Sequence, residues 1–200
     1  FDQRIAGEVN NAFSESPKNL RIFFAAVASC SPFLYSQIIK EKIWLLNTID
    51  DKNFNILSLL EPLKLEPFES LYLKLRKAKK RAALWIALKD LAGVWSLEAV
   101  TKNLSEFAEK AINLSWHASF LKELKKGKFP KHYNPHPDKV GFFILAMGKL
   151  GASELNYSSD IDLICFFDED LYSPEEFQNV RRTFINATKN LYRVLNENGK

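Results

Sequence analysis

Gly148-Lys149-Leu150-Gly151-Ala152-Ser153-Glu154-Leu155-Asn156-Tyr157-Ser158-Ser159-Asp160-Ile161-Asp162-Leu163-Ile164 separates two apolar runs, Val140 to Met147 and Leu163 to Phe167. A glycine-punctuated turn between such runs predicts two strands. The second strand is predicted over Asp160 to Phe167, with Asp160 and Asp162 two apart at its head. Side chains at i and i+2 of a strand share a face, so the two carboxylates converge. Carboxylates held side by side repel unless a cation neutralises them. Hard oxygen donors of this kind suit Mg²⁺, which takes one or two carboxylates and fills its shell with water and phosphate oxygens. An isolated Asp-x-Asp reads rather as a solvated strand end, so its surroundings decide.

Gly148 and Gly151 let the backbone turn tightly and leave amides to face a phosphate. Lys149 is a phosphate contact or a solvent-pointing lysine. Ser158 and Ser159 either cap the turn or donate to phosphate oxygens. Val140 to Met147 contains no polar residue, which predicts burial on both faces. Asp168-Glu169-Asp170 reads as a solvated acidic turn rather than a third metal ligand. Ser173-Pro174-Glu175-Glu176 is a capping box with Pro at the first helical position. Its helix carries Phe177, Val180, Phe184, Leu191, Val194 and Leu195 and is expected to end at Asn198-Gly199.

The first 126 residues read as helices. Ser16-Pro17 and Ser31-Pro32 each set a capping residue before Pro. Pro67 opens a helix through Leu71, Leu75, Ala78, Ala82, Trp85 and Ile86 to a stop at Gly93. Six of the eight residues from Lys74 to Arg81 are basic; they form a solvated face or a positive wall near a phosphate-bearing substrate. Ser96 caps a stretch reaching Leu124, and a helix of that length is expected to break near Asn103. Trp44, Trp85, Trp95 and Trp116 read as core, and His117 as packed inside its helix. Gly127 to Lys139, rich in Pro, His and Lys, is read as the boundary between a helical region (1–127) and a second domain (128–200). His132 and His136 stand four apart there, but Pro130, Pro135 and Pro137 exclude the helix that would make that spacing a metal site.

At 46% hydrophobic, 200 residues suffice for a substantial core. No apolar run is long enough for a membrane span and no secretory signal is visible. A chain opening on Phe1 reads as a processed or excised piece. Cys30 and Cys165, in apolar stretches without metal spacing, read as reduced core cysteines of a cytoplasmic protein. The net charge of +4 is concentrated before Gly127, where nineteen basic residues stand against fourteen acidic. That excess is too mild to argue for nucleic acid.

A glycine-rich turn followed by Asp-hydrophobic-Asp on a strand resembles the nucleotidyltransferase superfamily of DNA polymerase β. The longer string from Gly148 to Ile164 resembles the glutamine synthetase adenylyltransferase family, bifunctional enzymes that also remove the adenylyl group. Members carry two such domains. The C-terminal copy typically reads Glu-Leu-Gly-Tyr-x-Ser-Asp-Leu-Asp, the N-terminal, adenylyl-removing copy Glu-Leu-Asn-x-Ser-Ser-Asp-Ile-Asp. This chain has the second form. Ala152-Ser153 departs from the commoner Gly-Gly or Gly-Arg. Ser31-Pro32-Phe33-Leu34 and Lys89-Asp90-Leu91-Ala92-Gly93 are similar to further segments of the family.

The resemblance implies an α+β fold, in which an N-terminal helical region precedes a polymerase-β-like nucleotidyltransferase domain that is incomplete at its C-terminus. It implies a nucleotide-binding, Mg²⁺-dependent transferase that handles ATP, ADP or an AMP moiety. Asp160 and Asp162 would be the metal ligands and catalytic carboxylates, with Gly148, Lys149, Gly151, Ser158 and Ser159 around the phosphates. The reaction implied is attack of inorganic phosphate on adenylyl-tyrosine of glutamine synthetase, releasing ADP, in the control of nitrogen assimilation. Glutamine synthetase and a PII-type signalling protein are the implied partners, with no nucleic acid and no membrane. The family's third carboxylate is expected beyond Lys200, so residues 1–200 alone are expected not to turn over. Two other readings stay open on the residues: another polymerase-β-type nucleotidyltransferase, and a non-catalytic nucleotide-binding regulatory domain.

Overall fold

The computed structural model describes residues 2–130 and 135–196. Helices α1 (Gln3–Ala12), α2 (Lys18–Cys30), α3 (Pro32–Lys40) and α4 (Lys42–Asp50) lead through two 3₁₀ turns, Ile56–Leu59 and Glu61–Leu65, to two long helices. These are α5 (Phe68–Leu91) and α6 (Leu97–Leu124). Strand β1 (Phe142–Ala146), the short α7 (Gly148–Gly151), β2 (Leu163–Phe167), a 3₁₀ turn at Glu169–Leu171 and α8 (Pro174–Asn196) follow. The fold is α+β, with two antiparallel strands against a helical majority.

Local chemistry accounts for most boundaries. The Ser31 hydroxyl accepts from the Leu34 amide at 3.3 Å with Pro32 in the first turn, and Ser96 accepts from Ala99 at 3.3 Å. Gly93, at φ +65°, stops α5. At α8 the Glu176 carboxylate accepts from both the amide and the hydroxyl of Ser173, closing the capping box. Ser16 does not cap α2. The helix starts at Lys18 after Pro17 without a side-chain cap, and the Ser16 amide donates to the Phe13 carbonyl, closing the turn after α1. Pro67 likewise precedes the first turn of α5 rather than occupying it.

The expected break near Asn103 is absent, and α6 runs unbroken for 28 residues. Asn103 instead donates to the Ala99 carbonyl at 2.8 Å, within the helix. Helix α6 packs against both α5 and α8. Its first half joins the main core around Leu71, Leu84, Ile86 and Phe107. Its second half carries Trp116 and Phe120 into an aromatic cluster with Phe129, Phe142 and Phe184. Glu123, 4% exposed, ties α6 to α8 by accepting from Asn190 at 2.8 Å, and it is neutralised by Lys126.

The sheet lies on this helical layer by one face. Phe142, Ile144, Ala146, Leu163, Cys165 and Phe167 point inward, with the Trp116 ring stacked on Phe142 at 3.7 Å between centroids. The expected burial of β1 on both faces is overturned. Phe143 and Leu145 are 49% and 48% exposed, and Ile164 and Phe166 across the ladder are 42% exposed. Trp116 of α6 and Phe184 of α8 pack on the inner face of the sheet, while the residues of its second face stay 42–49% exposed.

The cysteines differ from expectation as well. Cys30 is exposed, at the end of α2, and only Cys165 is partly buried. His117 is not packed in a core; its Nε2 lies 2.7 Å from Asp138 at the surface, beside His136. His132, Asn198 and Gly199 lie outside the described residues. The basic run on α5 is partly engaged within the helical region. Lys74 pairs with Glu66, while Arg81 donates to Glu41 at 2.7 Å and lies over Trp44.

Candidate functional site

The segment between the strands is anchored by sterics and by burial. Gly148 sits at φ +56°, in the left-handed region that glycine tolerates. Gly151 is required for a different reason: a Cβ there would stand 2.4 Å from the Ala146 carbonyl oxygen. Leu150 and Leu155, 1% and 7% exposed, pack with Ile112 of α6 and hold the segment down. The Gly151 amide is not free to face a phosphate, since it donates to the Met147 carbonyl at 3.2 Å. Gly148 and Lys149 are exposed. Ser153 is the described non-glycine residue with positive φ, at 58°.

Asn156 organises the turn that follows. Its Oδ1 accepts from the Ser158 amide at 3.2 Å and the Ser159 hydroxyl at 2.6 Å. The Ser159 hydroxyl in turn accepts from the Asn156 amide at 3.1 Å. Of the two roles expected for Ser158 and Ser159, turn capping is therefore the one visible in these contacts. The Leu155 amide donates to Ser105 Oγ at 3.1 Å, and the Tyr157 hydroxyl donates to Asp90 Oδ2 at 3.1 Å.

Asp160 and Asp162 precede the paired part of β2, which begins at Leu163 rather than at Asp160. One further bond extends the ladder, from the Met147 amide to the Asp162 carbonyl at 2.9 Å. Exposure alternates without interruption from Asp160 to Phe167. Asp160, Asp162, Ile164 and Phe166 thus follow one another along the open side of the strand, which preserves the shared face for the two carboxylates. Neither carboxylate has a hydrogen-bond or ion-pair partner among the described residues. Two unneutralised carboxylates on one exposed face form a donor set that fits a hard divalent cation. No group of three or more His, Cys, Asp or Glu suited to a metal forms among the described residues. Asp168 lies at the opposite end of β2, roughly 20 Å from Asp162 at strand spacing, and its Oδ1 caps the following turn by accepting from the Asp170 amide.

A groove of about 770 Å³ adjoins the segment, lined by Glu98, Thr101 and Glu106 of α6 and by Ser153, Glu154 and Asn156. A larger cavity of about 1160 Å³ lies between α6 and the start of α5, and none of its lining comes from Gly148 to Asp162. Sequence reasoning missed Asp90 and Ser105 as supports of this segment. Each is polar in a helix, with no local pattern marking its distant partner.

The glycine-bounded turn leading into exposed Asp-Ile-Asp at a strand head, in an α+β chain, resembles the nucleotidyltransferase class. The family model for glutamate-ammonia ligase adenylyltransferase matches residues 23–199. The chain is 32% identical over 184 residues to a bifunctional glutamine synthetase adenylyltransferase/adenylyl-removing enzyme of Bradyrhizobium diazoefficiens, covering 88% of this chain and 18% of that protein. The Rhodopseudomonas palustris (strain CGA009) enzyme of the same description is 32% identical over 201 residues, covering 94% and 19%. A Bradyrhizobium sp. (strain BTAi1) enzyme is 41% identical over 122 residues, covering 60% and 12%. The chain belongs to the glutamate-ammonia ligase adenylyltransferase family. It spans no more than about a fifth of the length of these curated relatives.

Proposed function

We propose that this chain is part of the adenylyl-removing half of a bifunctional glutamine synthetase adenylyltransferase and contributes the Asp160/Asp162 pair of its phosphorolytic site. One observation carries the reading. The Glu154-Leu155-Asn156-Tyr157-Ser158-Ser159-Asp160-Ile161-Asp162 string has the N-terminal form of the family motif, and its two carboxylates lie unpartnered along one exposed strand side.

In this reaction an oxygen of inorganic phosphate attacks the adenylyl phosphorus. The phosphorus–oxygen bond to the tyrosine of glutamine synthetase breaks, ADP leaves, and the phenolic oxygen regains a proton. Asp160 and Asp162 would hold Mg²⁺, which when bound supplies positive charge to the attacking and leaving oxygens. The residues of the chain fix the geometry. Gly148 and Gly151 let the turn pass close under the end of β1, and Asn156 holds Ser158 and Ser159 at the mouth of the strand. Lys149, exposed at the same turn, offers a cation to a phosphate oxygen. Glutamine synthetase is the protein substrate in this reading, a PII-type signalling protein the regulatory partner, and the cytoplasm the compartment. No helix among the described residues is long and apolar enough to cross a membrane.

The test is incubation of the full-length protein containing this chain with adenylylated glutamine synthetase, phosphate and Mg²⁺. Phosphate-dependent ADP release that Asp162→Asn abolishes is the expected result. ADP release untouched by Asp160→Asn and Asp162→Asn would overturn the reading.

A further inference from the structure

Among the described residues, the one strand bond made by the stretch between Met147 and Leu163 is that of its Asp162 carbonyl, which accepts from the Met147 amide. The bonds gathered by Asn156 close the turn on itself without fixing it to the rest of the molecule. Among the described residues two long-range hydrogen bonds do fix it, both to the helical layer. The first joins the Leu155 amide to Ser105 Oγ on α6, 50 residues away, at a buried spot where Ser105 is 1% exposed. Ser105 donates its own proton to the Thr101 carbonyl at 2.9 Å, which leaves its oxygen to accept from Leu155. The second joins the Tyr157 hydroxyl to Asp90, 67 residues away on the last turn of α5.

Asp90 is badly placed for its own helix. An anion in the last turn faces the negative end of the helix dipole, so α5 gains nothing from a carboxylate there. What Asp90 does have is Tyr157, three residues before Asp160. Burial and the Asp90 carboxylate both push the Tyr157 ionisation upward, so the hydroxyl keeps its proton, and its role as donor, through the neutral range.

We propose that Asp90 and Tyr157 are a positioning pair: their bond holds the Asn156–Ser159 turn against α5 and so sets how Asp160 and Asp162 present their carboxylates. The inference rests on the reading of those carboxylates as the metal-holding pair. Neither Asp90 nor Tyr157 touches a reacting atom in this account. Both act through the backbone of Ser158 and Ser159.

The experiment uses the full-length protein and two readouts, Mn²⁺ binding followed by electron paramagnetic resonance and the kinetics of adenylyl removal. Tyr157→Phe keeps the ring and removes only the hydroxyl. It is expected to weaken Mn²⁺ binding several-fold and to lower kcat by roughly tenfold to a hundredfold, as a small misplacement of a working group does. KM for adenylylated glutamine synthetase and the melting temperature should stay near the parent values. Asp90→Leu should reproduce these changes, whereas Asp90→Asn, which retains an acceptor oxygen, should restore near-parent behaviour. The double variant Tyr157→Phe/Asp90→Leu should be no worse than either single variant, because both remove one bond. Parent Mn²⁺ binding and kcat in Tyr157→Phe, or strictly additive losses in the double variant, would overturn the pair. Asp160→Asn in parallel separates the failures. If it removes one class of Mn²⁺ site while Tyr157→Phe changes nothing, the positioning role alone falls; if it too changes nothing, the metal reading falls and takes the pair with it.

Discussion

The Met147 amide donates to the Asp162 carbonyl at 2.9 Å, one step past the last paired residues of the sheet, Ala146 and Leu163. That bond fastens the backbone of the second aspartate to the end of β1 while its side chain stays exposed. The glycine-bounded turn starts from Met147 itself, since the Gly151 amide returns to the Met147 carbonyl. One residue therefore anchors both the turn and the aspartate strand, and a distortion of the turn is felt at Asp162.

The first prediction concerns the carboxylates. Asp160→Asn and Asp162→Asn preserve size and remove charge from groups without protein partners, so neither should disturb folding. Loss of a metal ligand removes several kcal/mol of transition-state stabilisation, or roughly a thousandfold and more in rate. Circular dichroism and melting should match the parent, while adenylyl removal disappears and attachment of AMP to unmodified glutamine synthetase persists. Loss of attachment with removal preserved would reverse the assignment of the halves.

A pair of glycine substitutions separates two physical reasons for glycine. Gly148→Ala meets no atom within 4 Å but must hold φ +56°, which costs about 1 kcal/mol. Gly151→Ala has ordinary φ but drives a methyl into the Ala146 carbonyl oxygen. Backbone cannot swing aside as a side chain can, so α7 must shift, at about 1–3 kcal/mol. Urea denaturation should rank parent above Gly148→Ala above Gly151→Ala, and the second should impair adenylyl removal more strongly, through Met147. Equal stability of the two variants would contradict this account.

Features written in adjacent residues were legible in the sequence: the Ser31 and Ser96 caps, the Gly93 stop, the Ser173 capping box, the two strands and the aspartate alternation. Each depends on contacts within a few positions. Features set by the tertiary arrangement were not. A helix as long as α6 reads as too long in isolation, but α5 and α8 both pack against it. The apolar β1 reads as doubly buried, because composition cannot reveal that helices cover only one face. The Ser105–Leu155 and Asp90–Tyr157 bonds have no local signature at all.

The thiols offer a pH-dependent test. Burial pushes the Cys165 ionisation upward, opposed in part by a hydrogen bond with Thr188, whereas Cys30 lies exposed. Only the thiolate reacts. At pH 8 the folded protein should therefore show one fast and one slow thiol toward Ellman's reagent, with Cys30→Ser removing the fast phase. In urea the two should react alike. The sign for stability follows: above the ordinary thiol range the folded state keeps a proton that the unfolded chain has lost, so the Cys165 contribution declines as pH rises. Equal rates in the folded protein would contradict the burial of Cys165.

The last prediction concerns Ser153. Its φ of 58° puts a non-glycine residue in the left-handed region. Holding an L-residue there costs about 1–2 kcal/mol, and no described hydrogen bond from the Ser153 side chain offsets it. Ser153→Gly removes that cost but frees the unfolded chain, which takes back about 0.5–1 kcal/mol. The net expectation is a gain of up to about 1 kcal/mol, visible as a higher urea midpoint with unchanged slope. Ser153→Val, branched at Cβ, should fall well below the parent, because bulky branched residues tolerate this region worst. The order Gly, Ser, Val measures strain at the turn and separates it from any role of the hydroxyl. A Ser153→Gly variant less stable than the parent would mean that the hydroxyl holds the loop through a contact that outweighs the strain.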